Sequence, residues 1–230
     1  MRRLGFFVAG CLALLLQAAP AGAEQQPVRL PGGQMINAPV TSYFALRFKQ
    51  VVKQGYDISC GAAALATLMK YYWGVDTDEK KIIEGILARS SEDEKKQING
   101  MGFSMLELKH MGESLGFSAG GFRLDSVEKL AKLKVPALTL ITVRGYKHFV
   151  VFKGISHGQV YIADPAFGNR SRSLERFTEE WDGVILVFVS DKYTGNNNFS
   201  ADGSLSGRPR EVIPLIQRYT GQVDHLSGEF

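Results

Sequence analysis

The helix and strand signals in this chain change once, at Pro136, and this change constrains the fold more than any other feature of the sequence. Before Pro136 the sequence predicts helices, which follow capping residues and helix-forming runs. After Pro136 it predicts short strands, which are rich in β-branched and aromatic residues and are separated by turns containing glycine. Helices followed by a run of strands predict an α+β fold, with N-terminal helices packed on a C-terminal antiparallel sheet, rather than alternating β–α–β units.

Four helices are predicted on the N-terminal side of Pro136. Asp76-Thr77-Asp78 offers N-caps for the second helix, and Ser104 with Glu107 fits a capping box at the start of the third. Residues 90–99 are polar and charged, which fits an exposed loop or an extension of the second helix. The predicted helices, the fourth of them capped by Asp125, span residues 60–73, 79–88, 104–115 and 125–133.

Four strands are predicted after Pro136, and two of them form a hairpin. The strands span residues 137–143, 148–155, 159–164 and 183–190. The second and third are separated only by Ser156-His157-Gly158, which favours an antiparallel hairpin. Of the other segments, residues 43–48 are predicted to be a strand or an arm, residues 191–210 a loose segment, and residues 211–219 a terminal helix.

The N-terminus carries the three parts of a secretory signal peptide. Two arginines after the first methionine are followed by an apolar run at residues 4–16 and by the small residues Ala21-Gly22-Ala23. We therefore expect cleavage after Ala23 and a periplasmic protein with no stable insertion in a membrane. Lipidation at Cys11 is the alternative, but Cys11 lies in the middle of the apolar run, where a lipoprotein cleavage site would be unusual.

Charge and composition indicate neither a nucleic-acid partner nor a bound metal. The formal charge is +4 and becomes +2 when the arginines of the signal segment are removed. Acidic and basic residues are interspersed, so no basic patch is predicted for nucleic acid or for an anionic membrane surface. His110, His157 and His225 have no partners at ligand spacing, so no metal or other cofactor is predicted.

Cys60 is the one cysteine that remains after the expected cleavage, so the exported chain cannot form an internal disulfide. It stands where an irregular stretch containing Gly55 runs into a helix-forming run. The unpaired amides and the dipole at a helix N-terminus favour negative charge, which lowers the pKa of a thiol. A cysteine before an apolar helix is also commonly a buried small hydrophobic residue, so Cys60 alone does not establish catalysis.

Three further residues, His148, Asp164 and Gln54, fall where a thiol enzyme needs them. His148 opens one strand of the predicted hairpin and Asp164 ends the other, so their side chains should lie side by side. The carboxylate could then orient the imidazole while the other ring nitrogen faces Cys60. Gln54, which precedes the cysteine by one short loop, could donate its amide N–H to a developing oxyanion beside the Cys60 backbone N–H.

As a set, these residues resemble the motifs of the C39 peptidases, a family of the papain-like superfamily. The matching motifs are Gln-x5-Cys-Gly-Ala-Ala, a distant His-Phe-Val-Val strand and an Asp-Pro pair shortly after it. The resemblance covers residues 48–190 and implies a papain-like cysteine peptidase fold. It further implies the following roles: Cys60 the nucleophile, His148 the base, Asp164 the orienting residue and Gln54 the oxyanion donor. The predicted organisation is a signal peptide at 1–23, an N-terminal arm at 24–47, a C39-like peptidase domain at 48–190 and a C-terminal extension at 191–230.

The chain departs from the C39 domains that are fused to export transporters and cut their substrates after a double glycine. It contains no transporter and no ATP-binding motif, and Ser59 stands where many of those domains have Asp, the nearby acid here being Asp57. As an exported, stand-alone version it resembles the C39-like component of bacterial functional-amyloid export systems. That resemblance implies a protein or peptide substrate, cleaved after Gly-Gly, that is an amyloid or secretion component.

Other functions also fit the sequence. A non-catalytic papain-like module could recognise a Gly-rich segment for a secretion machine, although a pure binder has no chemical need for all four polar residues together. Hydrolysis of peptidoglycan peptides is another possibility, against which Gln54 and the Asp-Pro pair argue. In the arm, Leu30-Pro31-Gly32-Gly33 resembles a double-glycine cleavage site. Self-trimming after Gly33 is therefore a hypothesis beside simple flexibility.

Overall fold

The structure, a computed structural model, describes residues 25–29, 32–33, 35–39 and 42–199. The chain divides into two compact units between Ser42 and Tyr43. The predicted signal segment at 1–23 and the predicted terminal helix at 211–219 lie outside the described residues.

The described part of the first unit is an antiparallel pair of strands, β1 (Gln25–Arg29) and β2 (Met35–Pro39). Between the strands, Gly32 and Gly33 have φ angles of +105° and +83°, in a region that L side chains rarely adopt. The reversal of the chain is therefore enough to account for both glycines of the predicted cleavage site.

The second unit is built on a six-stranded antiparallel sheet. Its strands are β3 (Ser118–Arg123), β4 (Ala137–Val143), β5 (Tyr146–Ser156), β6 (Gln159–Asp164), β7 (Gly168–Ser173) and β8 (Trp181–Val189). Their order across the sheet is β3-β8-β4-β5-β6-β7. Strands β5 and β6 form the predicted hairpin, and its turn residues His157 and Gly158 have φ angles of +50° and +70°. The sheet and the helices that cover it confirm the predicted α+β fold.

Seven helices lie in the described part of the second unit. They are α1 (Tyr43–Arg47), α2 (Cys60–Thr67), α3 (Glu79–Leu87), α4 (Glu92–Met101), α5 (Met105–Ser114), α6 (Val127–Leu130) and α7 (Leu174–Glu180). A π-helical turn, Leu68–Tyr72, extends α2, and a 3₁₀ turn, Asn197–Phe199, ends the described chain. Ser104 and Glu107 form the predicted capping box of α5. Among the described residues, no helix is both long and apolar enough to cross a membrane.

Three local predictions are wrong, each for a local reason. The strand alternative for residues 43–48 fails because residues 43–47 are helical, with the rings of Phe44 and Phe48 at 4.8 Å between centroids. Residues 92–101 form the separate helix α4, because Ser91 and Glu94 make a capping box of their own. Ser126 is the N-cap of α6, whereas Asp125 forms an ion pair with Lys129 at 2.7 Å.

Two strands, β3 and β7, lack the sequence pattern of strands. Their sequences, Ser-Ala-Gly-Gly-Phe-Arg and Gly-Asn-Arg-Ser-Arg-Ser, carry few β-branched or aromatic residues. Both lie at an edge of the sheet, where each pairs with one neighbour, β8 and β6 respectively. Their conformation therefore depends on a partner strand more than on their own residues.

Apolar side chains cover both faces of the sheet, and one face positions the start of α2. Along β5, Phe149 and Val151 belong to the core that contains α2 and α5, while Val150 and Phe152 belong to the core that contains α6 and α7. Gly61 permits a close approach, since a Cβ there would lie 3.2 Å from Cδ2 of Phe149. The start of α2 is thereby packed directly against β5.

Residues 191–199, predicted to be loose, pack onto the second unit. Asn196 N donates a hydrogen bond of 2.8 Å to the carbonyl oxygen of Tyr72. Phe199 is fully buried, and the Nζ atom of Lys153 on β5 lies 4.3 Å from the centroid of its ring. This part of the chain therefore contributes to the core.

Candidate active site

Cys60 is the first residue of α2, and its thiol is partly buried. Burial raises the pKa of the thiol. Four other interactions lower this pKa. They are a hydrogen bond with the His148 side chain, hydrogen bonds with the backbone of Phe149 and of Gly61, and the charge of His148. Together they lower the pKa of Cys60 below its ordinary value, which increases the thiolate fraction.

His148 lies on β5 and is held by Asp164, the last residue of β6. The distance between His148 Nε2 and Asp164 Oδ1 is 2.8 Å, which leaves ring atom Nδ1 for the thiol. Burial lowers the pKa of His148, but hydrogen bonds with Asp164 and Cys60 and the charges of both residues raise it to about 9. The pKa of the thiol falls and that of the imidazole rises, so the two shifts favour a thiolate–imidazolium pair.

Asp164 is fully buried, and the turn that follows β6 fixes its carboxylate. Oδ1 also accepts hydrogen bonds from the backbone N–H groups of Ala166 at 2.9 Å and Phe167 at 3.1 Å. Oδ2 lies 3.3 Å from Nη1 of Arg170, whose guanidinium carbon is 5.0 Å from the centroid of the Phe167 ring. The carboxylate therefore has a defined orientation toward the imidazole, which is what an orienting residue requires.

Gln54 lines the same cleft, and its backbone connects it to the Asp164 turn. Gln54 N donates a hydrogen bond of 3.0 Å to the carbonyl oxygen of Pro165. Its side-chain Nε2 donates to the carbonyl oxygen of Tyr56 at 3.3 Å, and its Oε1 is buried without a hydrogen-bond partner. A primary amide has two N–H donors, so one remains for a ligand in the cleft. The structure thus brings all four residues predicted from the sequence, Gln54, Cys60, His148 and Asp164, into one cleft.

The cleft has a volume of about 860 Å³ and an apolar rim. Four large apolar residues on its wall are between 38% and 79% exposed: Ile58, Met101, Tyr146 and Phe167. Exposed apolar side chains around a concave site are typical of surfaces that bind apolar parts of a ligand. The lining therefore suits a ligand with apolar side chains.

Comparison with known proteins places this cleft in a family. The model of the peptidase C39 family matches residues 49–193, which is more than half of the chain. The chain belongs to the peptidase C39 family. Two similar proteins are each named probable functional amyloid protease FapD. The one from Pseudomonas aeruginosa is 37% identical over 81% of this chain and 80% of its own, and the one from Pseudomonas fluorescens is 38% identical over 81% of each.

A solved structure shares the fold of this C39 chain. The peptidase domain of Streptococcus ComA, a bifunctional ABC transporter involved in quorum sensing, superposes with a TM-score of 0.51 and 23% identity. The match covers 61% of this chain and 98% of the ComA domain. The likeness agrees with the predicted papain-like fold class.

One acidic residue near the C39 cleft was not predicted from the sequence. The sequence suggests Asp57 as the acid near the cysteine, but Asp57 is exposed at the cleft. The carboxylate that reaches the loop before Cys60 belongs to Glu79, which accepts a hydrogen bond of 2.5 Å from Ser59 Oγ. No sequence signal marks Glu79, because an acidic residue in the first turn of a helix is common for reasons of helix capping and dipole alone.

The remaining histidines lie away from this cleft. His110 is on α5, and His157 is at the tip of the β5–β6 hairpin, where its Nδ1 lies 2.8 Å from Ser156 Oγ. His225 lies outside the described residues. In the part of the chain that the structure describes, no group of three or more His, Cys, Asp and Glu side chains could hold a metal ion.

Proposed function

We propose that this C39 chain is a cysteine peptidase in which Cys60, His148, Asp164 and Gln54 perform the reaction. The observation that carries the proposal is the hydrogen-bonded line from Asp164 through His148 to Cys60, with its 2.8 Å contact between carboxylate and imidazole. A cysteine that only fills space in a core needs neither a base nor an orienting carboxylate.

In the first half of the reaction, the Cys60 thiolate attacks the carbonyl carbon of the scissile peptide bond. The carbonyl oxygen becomes an oxyanion, which the Cys60 backbone N–H and the Gln54 side-chain amide stabilise. His148 gives its proton to the leaving nitrogen, the C–N bond breaks, and a thioester to Cys60 remains. In the second half, His148 takes a proton from water, the resulting hydroxide attacks the thioester, and the Cys60 thiolate leaves beside the protonated His148.

The substrate in this proposal is a protein or peptide with apolar side chains, cleaved after Gly-Gly. The apolar rim of the cleft, formed by residues such as Met101 and Tyr146, supports an apolar ligand. The name functional amyloid protease, carried by the two Pseudomonas relatives, supports an exported amyloid or secretion component as the substrate. The signal-like segment at residues 1–23 supports action in the periplasm.

The test is to incubate the purified protein with the exported proteins encoded beside its gene and to map new termini by mass spectrometry. We expect cleavage after Gly-Gly by the wild type and none by Cys60→Ala. That variant should fold normally, because Ala is favourable at the start of a helix and little volume is lost. Processing by Cys60→Ala at the wild-type rate would remove the peptidase proposal and leave the non-catalytic binding module.

A further inference from the structure

Glu79 is a buried carboxylate that contacts the loop between Gln54 and Cys60. Its side chain accepts hydrogen bonds from the backbone N–H of Gly55, at 3.0 Å to Oε1 and 2.9 Å to Oε2, and from Ser59 Oγ at 2.5 Å to Oε1. Glu79 is 8% exposed, and within the described residues it forms no ion pair with Lys or Arg. The loop therefore supplies the hydrogen bonds that offset the cost of burying this charge.

Helix capping does not explain this arrangement. Glu79 is the first residue of α3, but Asp78 already caps that helix by accepting a hydrogen bond from Lys81 N at 2.8 Å. The carboxylate of Glu79 turns away from its own helix toward the loop. Gly55 allows the approach, since a Cβ at that position would lie only 3.1 Å from Glu79 Oε2.

The loop held by Glu79 carries both donors of the proposed oxyanion site. At its start, the side chain of Gln54 donates to the carbonyl oxygen of Tyr56, and Ser59 N donates to the same oxygen at 3.3 Å. At its end, Ser59 is followed directly by the backbone N–H of Cys60. Moving Gly55 or Ser59 therefore moves one or both donors. The His148–Asp164 contact, by contrast, belongs to the β5–β6 hairpin and does not include Glu79.

We propose that Glu79 is a positioning residue for the oxyanion site: it fixes the Gly55–Ser59 loop so that the Gln54 amide and the Cys60 backbone N–H point at the same place. The proposal rests on the proposed peptidase function. It separates two parts of the site. The hairpin of β5 and β6 sets the ionisation of the nucleophile, and Glu79 sets the geometry of the donors that stabilise charge on the substrate.

The experiment compares two reactions of the same thiol in Glu79→Ala. Cleavage of the fluorogenic peptide Leu-Pro-Gly-Gly-aminomethylcoumarin requires the oxyanion site, whereas alkylation by iodoacetamide requires only the thiolate. We expect Glu79→Ala to lower kcat for the peptide about 10–100-fold with KM little changed. Its alkylation rate and the pH midpoint of alkylation should stay within about two-fold of the wild type. Glu79→Gln, which keeps an acceptor for Gly55 N, should recover part of kcat.

Glu84→Ala on the same helix is the matched control, since Glu84 is exposed and forms a surface ion pair with Lys80 at 3.8 Å. In a Gln54→Ala background, Glu79→Ala should cost less kcat than in the wild-type background, because one of the two donors that Glu79 positions is already absent. Equal losses of cleavage and alkylation in Glu79→Ala would overturn the proposal, because they would show a general structural role. Wild-type kcat in Glu79→Ala would also overturn it.

Failure of the peptidase function itself gives a different result. The wild type would then not cleave the peptide, and iodoacetamide would not modify its thiol below the pKa of an ordinary thiol. Hydrogen exchange tests the effect of Glu79 on the loop independently of peptidase activity. Faster exchange of the backbone amides from Gly55 to Ser59 in Glu79→Ala, with folding retained, would support the hold on the loop. Unchanged exchange there would overturn it.

Discussion

The reactivity of single residues in this cleft depends on how Cys60 and His148 change each other's ionisation. The pKa of His148 rises from 6.5 to about 9 in the folded state, so this histidine favours folding below about pH 6.5. That contribution is lost as the pH rises through about 9. The pKa of Cys60 moves the other way, against the effect of its own burial. The charged form of each residue therefore stabilises the charged form of the other.

Alkylation against pH tests this coupling. We expect iodoacetamide to modify Cys60 with a pH midpoint below the pKa of about 8.5 of a free thiol. His148→Ala should raise the midpoint, because the hydrogen bond and the charge of His148 would no longer offset the effect of burial. Mass spectrometry of the modified protein gives the rates. An unchanged midpoint in His148→Ala would contradict the coupling.

Substitution of Gln54 tests the proposed oxyanion donor. We expect Gln54→Ala to lower kcat about 10²–10³-fold with little change in KM, because the lost hydrogen bond matters mainly in the transition state. Steady-state kinetics on the cleaved substrate measures both constants. Gln97→Ala, at an exposed position of α4, is the matched control and should be neutral. A change in KM alone would assign Gln54 to substrate binding instead.

At the scale of elements, strand β5 carries a second buried charge that the proposed chemistry does not use. Lys153 is 4% exposed, and its Nζ donates to Asn169 Oδ1 at 3.2 Å. Burial lowers the pKa of Lys153 from 10.5 to about 7. The unfolded chain therefore binds more protons than the folded chain between about pH 7 and 10.5, and the contribution of Lys153 to stability increases with pH across that window.

Replacement of Lys153 by Met should therefore stabilise the fold most at low pH. We expect the gain in the free energy of unfolding for Lys153→Met to be about 1–3 kcal/mol larger at about pH 6 than at about pH 9. Denaturant unfolding at both pH values measures it, with the exposed Lys132→Met as the control. A gain that grows with pH would contradict the assigned direction.

Elements with local causes could be predicted from the sequence, and those held by distant partners could not. Helix α5 and the β5–β6 hairpin could be predicted because their signals lie in neighbouring residues. These signals are the capping box of Ser104 and Glu107 and the turn at His157-Gly158. Strand β3 depends on pairing with β8, and its own glycines argue against a strand. The contact between Glu79 and Ser59 connects residues that are 20 positions apart and come together only in the folded chain, so no sequence pattern predicts it.

At the scale of the whole molecule, the chain combines a described C39 domain with an N-terminal segment that lies outside the described residues. We predict that the exported protein begins at Glu24, because Ala21-Gly22-Ala23 has the small residues of a signal peptidase site. N-terminal sequencing of protein recovered from the periplasm measures this. A lipid-modified N-terminus at Cys11 would contradict it.

The contact between His148 and Asp164 has a consequence for how the molecule is assembled. These two residues are 16 positions apart on one hairpin, so their pairing closes only a short loop and requires little of the remaining chain. Cys60 comes from the opposite end of the domain and meets them only when α2 docks on β5. Before docking, its thiol is an ordinary one and mostly protonated. The thiol therefore gains its lowered pKa only once α2 packs against β5, which protects an unfinished chain from reacting through its own cysteine.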